Sequence, residues 1–346
     1  MSRQPTTLTE LARLGFSELE VTNERLNALG APAIVSHFAA AADPDQALRL
    51  LGVLREQAPT QLAQLIADED AAARLIRVLG ASAGLGDFLA RNPEQLAALG
   101  TPLVELPSSY AADLLGAAAA QPGEAGWQAL RVRYRRHLLQ LASWDLDHPD
   151  PLAAVSLVAA ALADLASAAL DAALAIARRV IKFPAAEVAA TGLAIIGMGK
   201  AGARELNYVS DVDVIFVAES AGPELSDDRA VTIATQLAMQ TMRAIHDFGR
   251  EPGLWEVDAN LRPEGKDGAL VRTLDSHLAY YDRWAKSWEF QALLKARPLA
   301  GDLELGQRYV DALAPKVWSS ASRENFVESV QRMRERVTEN IPPEEL

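Results

Sequence analysis

The sequence predicts a mostly helical protein that carries one small α+β domain with a mixed sheet. Half of its 346 residues are apolar and only 6% are aromatic, and alanine and leucine, the commonest apolar residues, favour helices. Two short segments, residues 193–196 and 212–217, are instead rich in β-branched residues and have the length of strands. We therefore expect a helical region at 1–185, an α+β domain at 186–300, and the start of a further helical segment at 301–346.

The first 185 residues contain repeated signals for the start of a helix. Residues 43–46, Asp-Pro-Asp-Gln, supply an N-cap, a proline at the first helical position and a glutamine at the third. Residues 92–95, Asn-Pro-Glu-Gln, repeat this pattern, and Gly100 closes the short helix that follows. Asp150 and Pro151 begin an alanine-rich helix that runs to about Val180.

The pattern changes near Thr191, after which the strands are expected. Ser226 caps a helix that separates the first two strands from a third. Apolar and polar residues alternate from Trp255 to Leu261, which is typical of a half-buried strand. From Asp275 onward the sequence predicts helix again.

Charge and composition exclude several functional classes. The net charge of −13 argues against a nonspecific nucleic-acid-binding protein, whose surface would be basic. The chain has no cysteine, which excludes disulfides and thiolate metal sites. The first ten residues lack the apolar core of a secretory signal, and Asp164 and Asp171 interrupt the most apolar tract, residues 151–180. We expect a soluble cytoplasmic protein with neither a nucleic acid nor a membrane as its partner.

Two carboxylates, Asp211 and Asp213, stand two residues apart at the start of the second predicted strand. A strand directs residues i and i+2 to the same face, so the two acids repel each other unless a cation lies between them. Mg²⁺ shared with a substrate phosphate is the usual solution. Asp258, on the polar face of the third predicted strand, is a possible third ligand. We therefore predict that all three acids are catalytic metal ligands, for two Mg²⁺ ions.

Residues 197–202 match the G-x-G-x-x-G pattern of dinucleotide-binding proteins, with Glu219 near the position of a ribose-binding acid. Only eight residues separate Gly202 from Asp211, which is too few for the crossover helix of that fold. The second strand of that fold is also buried on both faces, where Asp211 and Asp213 would have no place. We expect no dinucleotide site here.

Three other patterns have ordinary structural interpretations. Residues 80–84 match G-x-S-x-G, but they follow a helical segment rather than a strand and indicate a turn between helices. The five histidines lack metal-ligand spacing. A dense basic patch indicates either a solvated helix face or a docking site for an acidic partner; it consists of Arg131, Arg133, Arg135 and Arg136.

The segment around the paired acids has the form of a nucleotidyltransferase signature. Residues 198–200, Met-Gly-Lys, are followed by a ten-residue spacer and then by residues 211–214, Asp-Val-Asp-Val. The signature is a hydrophobic residue, glycine, and glycine or serine, then a spacer and alternating acids; Lys200 stands where serine or glycine is usual. The strand–helix–strand order also fits that superfamily, whose fold resembles that of polymerase β.

Three longer segments, residues 197–216, 257–271 and 288–297, resemble the N-terminal catalytic domain of the glutamine synthetase adenylyltransferase family. Residues 87–93 fit the same family more loosely. Family members carry two such domains, and the wording Glu-Leu-Asn-Tyr-Val-Ser at 205–210 is similar to the N-terminal copy. That copy removes AMP from a tyrosine of glutamine synthetase by phosphorolysis, whereas the C-terminal copy adds AMP from ATP. Because 346 residues cannot hold both domains, we expect a truncated N-terminal part of a longer enzyme.

The resemblance implies a set of ligands and partners. Gly199, Lys200 and Ser210 would bind phosphate. Three further cations could equally be anion contacts or members of structural surface ion pairs: Arg262, Lys295 and Arg297. The implied partners are glutamine synthetase, phosphate, ADP or ATP, and a nitrogen-signalling regulatory protein. Two alternatives stay open, namely an ATP-dependent adenylyltransferase and a noncatalytic module that docks on glutamine synthetase.

Overall fold

The computed structural model describes residues 7–320 together with residues 331 and 335. Contacts between Cα atoms divide the chain into two compact units. The first comprises Met1–Ser108 and Val132–Ala161, and the second comprises Ser109–Arg131 and Leu162–Leu346. The expected domain limits at 185/186 and 300/301 stay a prediction, and most of residues 321–346 lie outside the described part of the chain.

The first unit is built from helices. These are α1 (Leu8–Arg13), α2 (Leu19–Leu29), α3 (Pro44–Gln57), α4 (Pro59–Ile66), α5 (Glu69–Ala81) and α6 (Ala83–Arg91), with 3₁₀ helices at Pro32–Ala40 and Pro93–Leu99. Two longer helices, α8 (Gly123–Asp147) and α9 (Pro151–Val180), contribute residues to both units. Leucines and aromatic residues from this unit form one buried core, which includes Leu11, Phe38, Leu51, Leu75 and Phe88.

The predicted start of α3 is confirmed. The Asp43 side chain accepts a hydrogen bond from the Gln46 N–H at 2.8 Å, so it satisfies one of the free backbone donors of the first turn. The expectation at Asn92 is wrong in detail, because a 3₁₀ helix follows it. The Asn92 side-chain amide donates backwards to the Phe88 carbonyl instead of capping that helix.

The second unit contains the sheet, and its mixed character is confirmed. Its five strands are β1 (Thr191–Gly197), β2 (Val212–Ser220), β3 (Val257–Asp258), β4 (Val271–Thr273) and β5 (Arg297–Gly301). The strand order is β3–β2–β1–β5, and β4 also pairs with β2, at residues further along β2 than those paired with β3. β1 runs antiparallel to β2 and β5, whereas β3 and β4 run parallel to β2.

Helices cover both faces of this sheet. Besides the parts of α8 and α9 that belong to it, the second unit contains α7 (Ala111–Ala119), α10 (Ala185–Ala189), α11 (Gly199–Ala203), α12 (Asp227–His246), α13 (Leu274–Arg283), α14 (Ser287–Leu293) and α15 (Leu303–Ser320). Ile215 and Val217 of β2 pack into a core with Phe290 of α14 and with Leu305 and Leu313 of α15. On the other face β1 and β2 contact α12, whose predicted N-cap Ser226 accepts a hydrogen bond from the Arg229 N–H.

The expectation of uninterrupted helix after Asp275 is wrong at β5. Pro298 lies within this strand and cannot donate a ladder hydrogen bond, which is why the segment does not have the usual sequence pattern of a strand. β5 is the last strand in the sheet order, and an edge strand tolerates a proline.

α9 is long and apolar enough to cross a membrane by length and composition, with a mean hydropathy of 1.9 in its most apolar 18-residue window. Contrary to the sequence prediction, Asp164 and Asp171 therefore do not by themselves exclude a membrane span. Half of that window is buried inside the fold. Asp164 pairs with Arg204, and Asp171 accepts a hydrogen bond from the Gly301 N–H at 3.1 Å, so both acids contact protein. The cytoplasmic location stays a prediction.

Candidate active site

The turn after β1 closes directly over the start of β2. The Met198 N–H donates to the Asp213 carbonyl oxygen at 2.9 Å. Gly199 has a φ of +51°, and a Cβ placed on it would lie only 2.9 Å from the Asp213 Oδ2. Both the backbone angle and the close approach therefore require glycine at this position. α11 begins at Gly199, so the turn and the first of its side chains, Lys200, are held next to the carboxylate of Asp213.

The parallel pairing of β2 with β3 places a third acid beside the first two. Asp213 is opposite Asp258 in the register, and Asp211 immediately precedes β2. Carboxylate oxygens of Asp211, Asp213 and Asp258 all lie within 4.8 Å of one another. Asp211 is exposed and the other two are half-buried, so the cluster opens to solvent on one side. The role of these residues as metal ligands stays a prediction.

The electrostatics of the cluster are unfavourable without a cation. Burial raises the pKa of Asp213 above its ordinary value, the neighbouring charges of Asp211 and Asp258 raise it further, and Lys200 partly opposes them. The Asp258 Oδ1 accepts a hydrogen bond from the Asn260 N–H at 2.6 Å, which orients this carboxylate. Three oxygen donors at this spacing suit a hard cation such as Mg²⁺ better than a soft metal.

The expected phosphate-binding residues lie around this cluster. Gly199 and Lys200 form the turn above Asp213, and the Lys200 Nζ donates to the Asn207 Oδ1 at 3.1 Å. Ser210 precedes Asp211, with its Oγ 3.4 Å from the Asp211 Oδ1. The structure therefore brings these residues to the carboxylates, while contact with phosphate stays a prediction.

The three other expected anion contacts already have protein partners. The Arg262 guanidinium donates to three carbonyl oxygens of its own loop, those of Ala259, Lys266 and Gly268. The Arg297 guanidinium donates to the carbonyl oxygens of Ala201 and Gly202 at 3.1 Å. The Lys295 Nζ donates to the Glu205 Oε2 at 2.5 Å. Lys295 and Glu205 thus form a surface ion pair, the alternative that the sequence had left open. Arg262 and Arg297 instead bind backbone carbonyls near the site, which the sequence pattern did not indicate. Contact of the three cations with anions stays a prediction.

The structure agrees with the absence of a dinucleotide-binding crossover. β1 and β2 are antiparallel and are joined through a five-residue helix, whereas that fold needs parallel strands and a long crossover. Burial of the second strand does not distinguish the two folds, however, because residues 214–218 of β2 are buried throughout. Asp211 and Asp213 are accommodated because they lie at the start of the strand, where Asp211 is exposed to solvent and Asp213 is only half-buried.

The prediction of an interhelical turn at residues 80–84 is confirmed. Ser82 lies between α5 and α6, and its Oγ accepts a hydrogen bond from the Leu85 N–H at 3.2 Å as the N-cap of α6. Its hydroxyl therefore has a structural role. His277, by contrast, is completely buried in the second unit, and burial lowers its pKa to about 3.

The interpretation of the arginine patch as one solvated face is wrong at Arg131. This side chain is only 1% exposed. Its guanidinium donates to the carbonyl oxygens of Arg243, Ala244 and Glu251, so it binds the end of α12 and the loop that follows. A buried arginine needs such acceptors, because an uncompensated buried charge is costly.

Comparisons with known proteins identify the family of the chain. A family model described as "GlnE: Glutamate-ammonia ligase adenylyltransferase" matches residues 72–312, which include all three acids. A protein of Leifsonia xyli subsp. xyli named "Bifunctional glutamine synthetase adenylyltransferase/adenylyl-removing enzyme" is 60% identical over 369 residues, covering 100% of this chain and 36% of its own length.

Proteins with the same name from other bacteria are similar as well. One from Streptomyces avermitilis is 47% identical and covers 99% of this chain and 35% of its own length. One from Cutibacterium acnes is 44% identical and covers 88% of this chain and 32% of its own length. The chain thus spans about a third of the length of these curated relatives. Since the family model covers well over half of the sequence, the chain belongs to the GlnE family of glutamate-ammonia ligase adenylyltransferases.

Proposed function

We propose that this chain removes AMP from an adenylylated tyrosine of glutamine synthetase by Mg²⁺-dependent phosphorolysis. The observation that carries the proposal is the convergence of Asp211, Asp213 and Asp258 beneath the Gly199 turn. The relatives' name includes an adenylyl-removing activity. The similarity of residues 205–210 to the N-terminal copy of the catalytic domain favours removal over addition.

The three acids are the proposed ligands of two Mg²⁺ ions. Their oxygens lie within 4.8 Å of one another, and burial followed by like-charge repulsion raises the pKa of Asp213, so this arrangement fits a divalent cation. When bound, Mg²⁺ neutralises charge on the attacking and leaving oxygens of an in-line displacement. The Asn260 N–H orients the Asp258 carboxylate, and the Asp213 carboxylate is held against Gly199.

The proposed reaction exchanges one phosphorus–oxygen bond for another. An oxygen of hydrogen phosphate forms a bond to the AMP phosphorus, and the bond from that phosphorus to the tyrosine oxygen breaks. The products are ADP and unmodified tyrosine, which takes the proton of the attacking phosphate. Because phosphate is already anionic, no strong general base is required. Lys200, Ser210 and the backbone of the Gly199 turn are the proposed phosphate contacts.

The partners follow from this reaction. Glutamine synthetase is the proposed protein substrate, phosphate the second substrate and ADP the nucleotide product, with a nitrogen-signalling protein as the regulator and the cytoplasm as the location. The same acids would also serve transfer of AMP from ATP, since both reactions pass through the same in-line geometry. The relatives' name includes that activity too, so the direction is decided by experiment.

The test uses adenylylated glutamine synthetase with the purified chain, Mg²⁺ and phosphate, and follows the tyrosine peptide by mass spectrometry. We expect loss of AMP and release of ADP, both dependent on phosphate and abolished by EDTA. Unmodified glutamine synthetase with ATP should gain little AMP. AMP addition at a rate equal to or above phosphate-dependent removal would overturn the proposal in favour of the adenylyltransferase, and no turnover in either direction would favour the docking module.

A further inference from the structure

α11 is too short to be stable by itself. It has five residues, Gly199–Ala203, whereas isolated helices below about 12–15 residues are marginal even with the best sequences. This helix nevertheless carries the Gly199–Lys200 turn that lies against Asp213. Contacts from other elements must therefore hold it in place.

One such contact comes from β5. The Arg297 guanidinium donates from its Nε to the Gly202 carbonyl and from a terminal nitrogen to the Ala201 carbonyl, both at 3.1 Å. These carbonyls belong to the end of α11, where the acceptors of a helix lack partners within it. Arg297 thus completes the C-terminal turn of the helix.

The second contact comes from α9 through Arg204. This residue ends α11 in the left-handed conformation, with φ +59° and ψ +40°, which residues other than glycine rarely adopt. Its guanidinium forms a bidentate pair with Asp164 of α9, with the Nε 3.1 Å from Oδ1 and a terminal nitrogen 2.5 Å from Oδ2. Bidentate pairs of this kind fix orientation as well as distance.

Asp164 also lies close to the second arginine. Burial lowers the pKa of Arg297, and the nearby Asp164 carboxylate opposes that shift, while Arg204 adds to it. Within the described part of the chain, Asp164 therefore pairs with Arg204 alone, while its charge also favours the charged form of Arg297. It belongs to the second unit, together with α11, β2 and β5.

We infer that Asp164 is a positioning residue, which acts through its bidentate pair with Arg204 to hold the Gly199–Lys200 turn against Asp213. Asp164 is distinct from the acids of the candidate metal site. Its effect on turnover rests on the proposed function, whereas its effect on α11 does not. Loss of the pair should therefore loosen the turn first and slow the reaction as a consequence.

The test compares Asp164→Asn with a matched control, Glu187→Gln. Glu187 pairs with Arg229 in the same unit at 2.7 Å, and its side chain is 33% exposed, compared with 32% for Asp164. Both variants replace a carboxylate by an isosteric amide in a single ion pair. A third variant, Arg204→Gly, removes the guanidinium while keeping the left-handed backbone free of steric strain. Asp164→Glu restores the charge.

The first measurement is amide hydrogen exchange by mass spectrometry in peptides that cover residues 198–206. We expect exchange at least about 10-fold faster in Asp164→Asn and in Arg204→Gly, and unchanged exchange in Glu187→Gln. Unchanged exchange in Asp164→Asn would overturn the inference. This readout needs neither metal nor substrate, so it decides the matter even if the proposed function fails.

The second measurement is phosphate-dependent release of ADP. We expect kcat to fall about 10-fold or more in Asp164→Asn with KM for adenylylated glutamine synthetase within about twofold of wild type, because a displaced group slows the step without weakening substrate binding. Asp164→Glu should recover much of kcat, and Asp164→Asn should add little to Arg204→Gly. A normal kcat in Asp164→Asn, or a loss equalled by Glu187→Gln, would contradict a positioning role.

Discussion

Two groups of acidic side chains in this protein have opposite effects on stability. In the first unit Asp43 and Asp68 cap α3 and α5 through hydrogen bonds of 2.8 Å, and Asp147 pairs with Arg77. In the second unit Asp213 faces two other carboxylates, and burial together with their charge raises its pKa. The acids of the first group stabilise the fold, whereas those of the second group repel one another.

The partners of a carboxylate therefore help to distinguish a structural acid from one in a candidate functional site when no ligand is present. A carboxylate that accepts hydrogen bonds at a helix N-terminus or pairs with a guanidinium has a structural role. Three carboxylates within 4.8 Å of one another have no such role, because their repulsion reduces stability. Substitutions in the two groups should therefore change different properties, and the following predictions test that separation.

The largest expected effect is the loss of activity in Asp213→Asn. Removing one ligand from the proposed metal site should lower phosphate-dependent turnover at least about 10³-fold, which corresponds to about 4 kcal/mol of transition-state stabilisation. Asp258→Asn should behave similarly. Asp228→Asn is the control, since Asp228 is an exposed acid in the first turn of α12. Turnover within tenfold of wild type in Asp213→Asn would show that this acid is not a ligand.

The next effect concerns the core of the first unit. Leu51 is completely buried, so Leu51→Ala should lower the free energy of unfolding by about 3 kcal/mol through lost burial and the cavity left behind. Leu152→Ala is the matched control, because Leu152 belongs to the same unit and is 86% exposed. Denaturant titration measures both. Equal losses in the two variants would mean that Leu51 does not belong to the core.

The sequence predicted the features that depend on neighbouring residues. The i, i+2 spacing of Asp211 and Asp213 and the N-cap at Asp43 are local patterns, and the structure places these residues accordingly. The alternation from Trp255 to Leu261 predicted a longer strand than the structure has, because β3 comprises only Val257–Asp258. Features that depend on distant partners were missed. Nothing near Arg297 in the sequence indicates that it donates to Ala201 and Gly202, and nothing near Asp164 indicates its pairing with Arg204.

The third prediction concerns His277, a buried titratable residue outside the candidate active site. Burial lowers the pKa of His277 to about 3, and Arg272 lowers it further, while Tyr281 and Tyr309 pack against the ring. As the pH falls below about 6.5, His277 is protonated in the unfolded chain but stays neutral in the folded chain. Stability is therefore complete above that pH and falls as the pH decreases toward 3, by about 2 kcal/mol between pH 7 and pH 5 from this residue.

His277→Phe removes this contribution while keeping a ring in the core. Its free energy of unfolding should change by about 2 kcal/mol less than that of wild type between the two pH values. An identical pH dependence in His277→Phe and wild type would contradict the buried neutral state of His277.

The smallest effect belongs to a helix cap. The Asp68 side chain accepts a hydrogen bond from the Ala71 N–H at 2.8 Å, so Asp68→Ala should lower the free energy of unfolding by about 1 kcal/mol. Asp68→Asn retains an acceptor and should cost much less. Thermal unfolding of both variants makes the comparison. A loss in Asp68→Asn as large as in Asp68→Ala would indicate that the charge, rather than the cap, stabilises α5.

The most direct test of a cation site at the three carboxylates is the melting temperature of wild type and Asp213→Asn, each measured in EDTA and in Mg²⁺. If the three carboxylates form a cation site at the expense of stability, Mg²⁺ will raise the melting temperature of wild type in a concentration-dependent way and leave that of Asp213→Asn nearly unchanged. In EDTA the variant will melt at or above the temperature of wild type, because one repelling charge has been removed. A lower melting temperature for Asp213→Asn in EDTA, or no response of wild type to millimolar Mg²⁺, would contradict the claim.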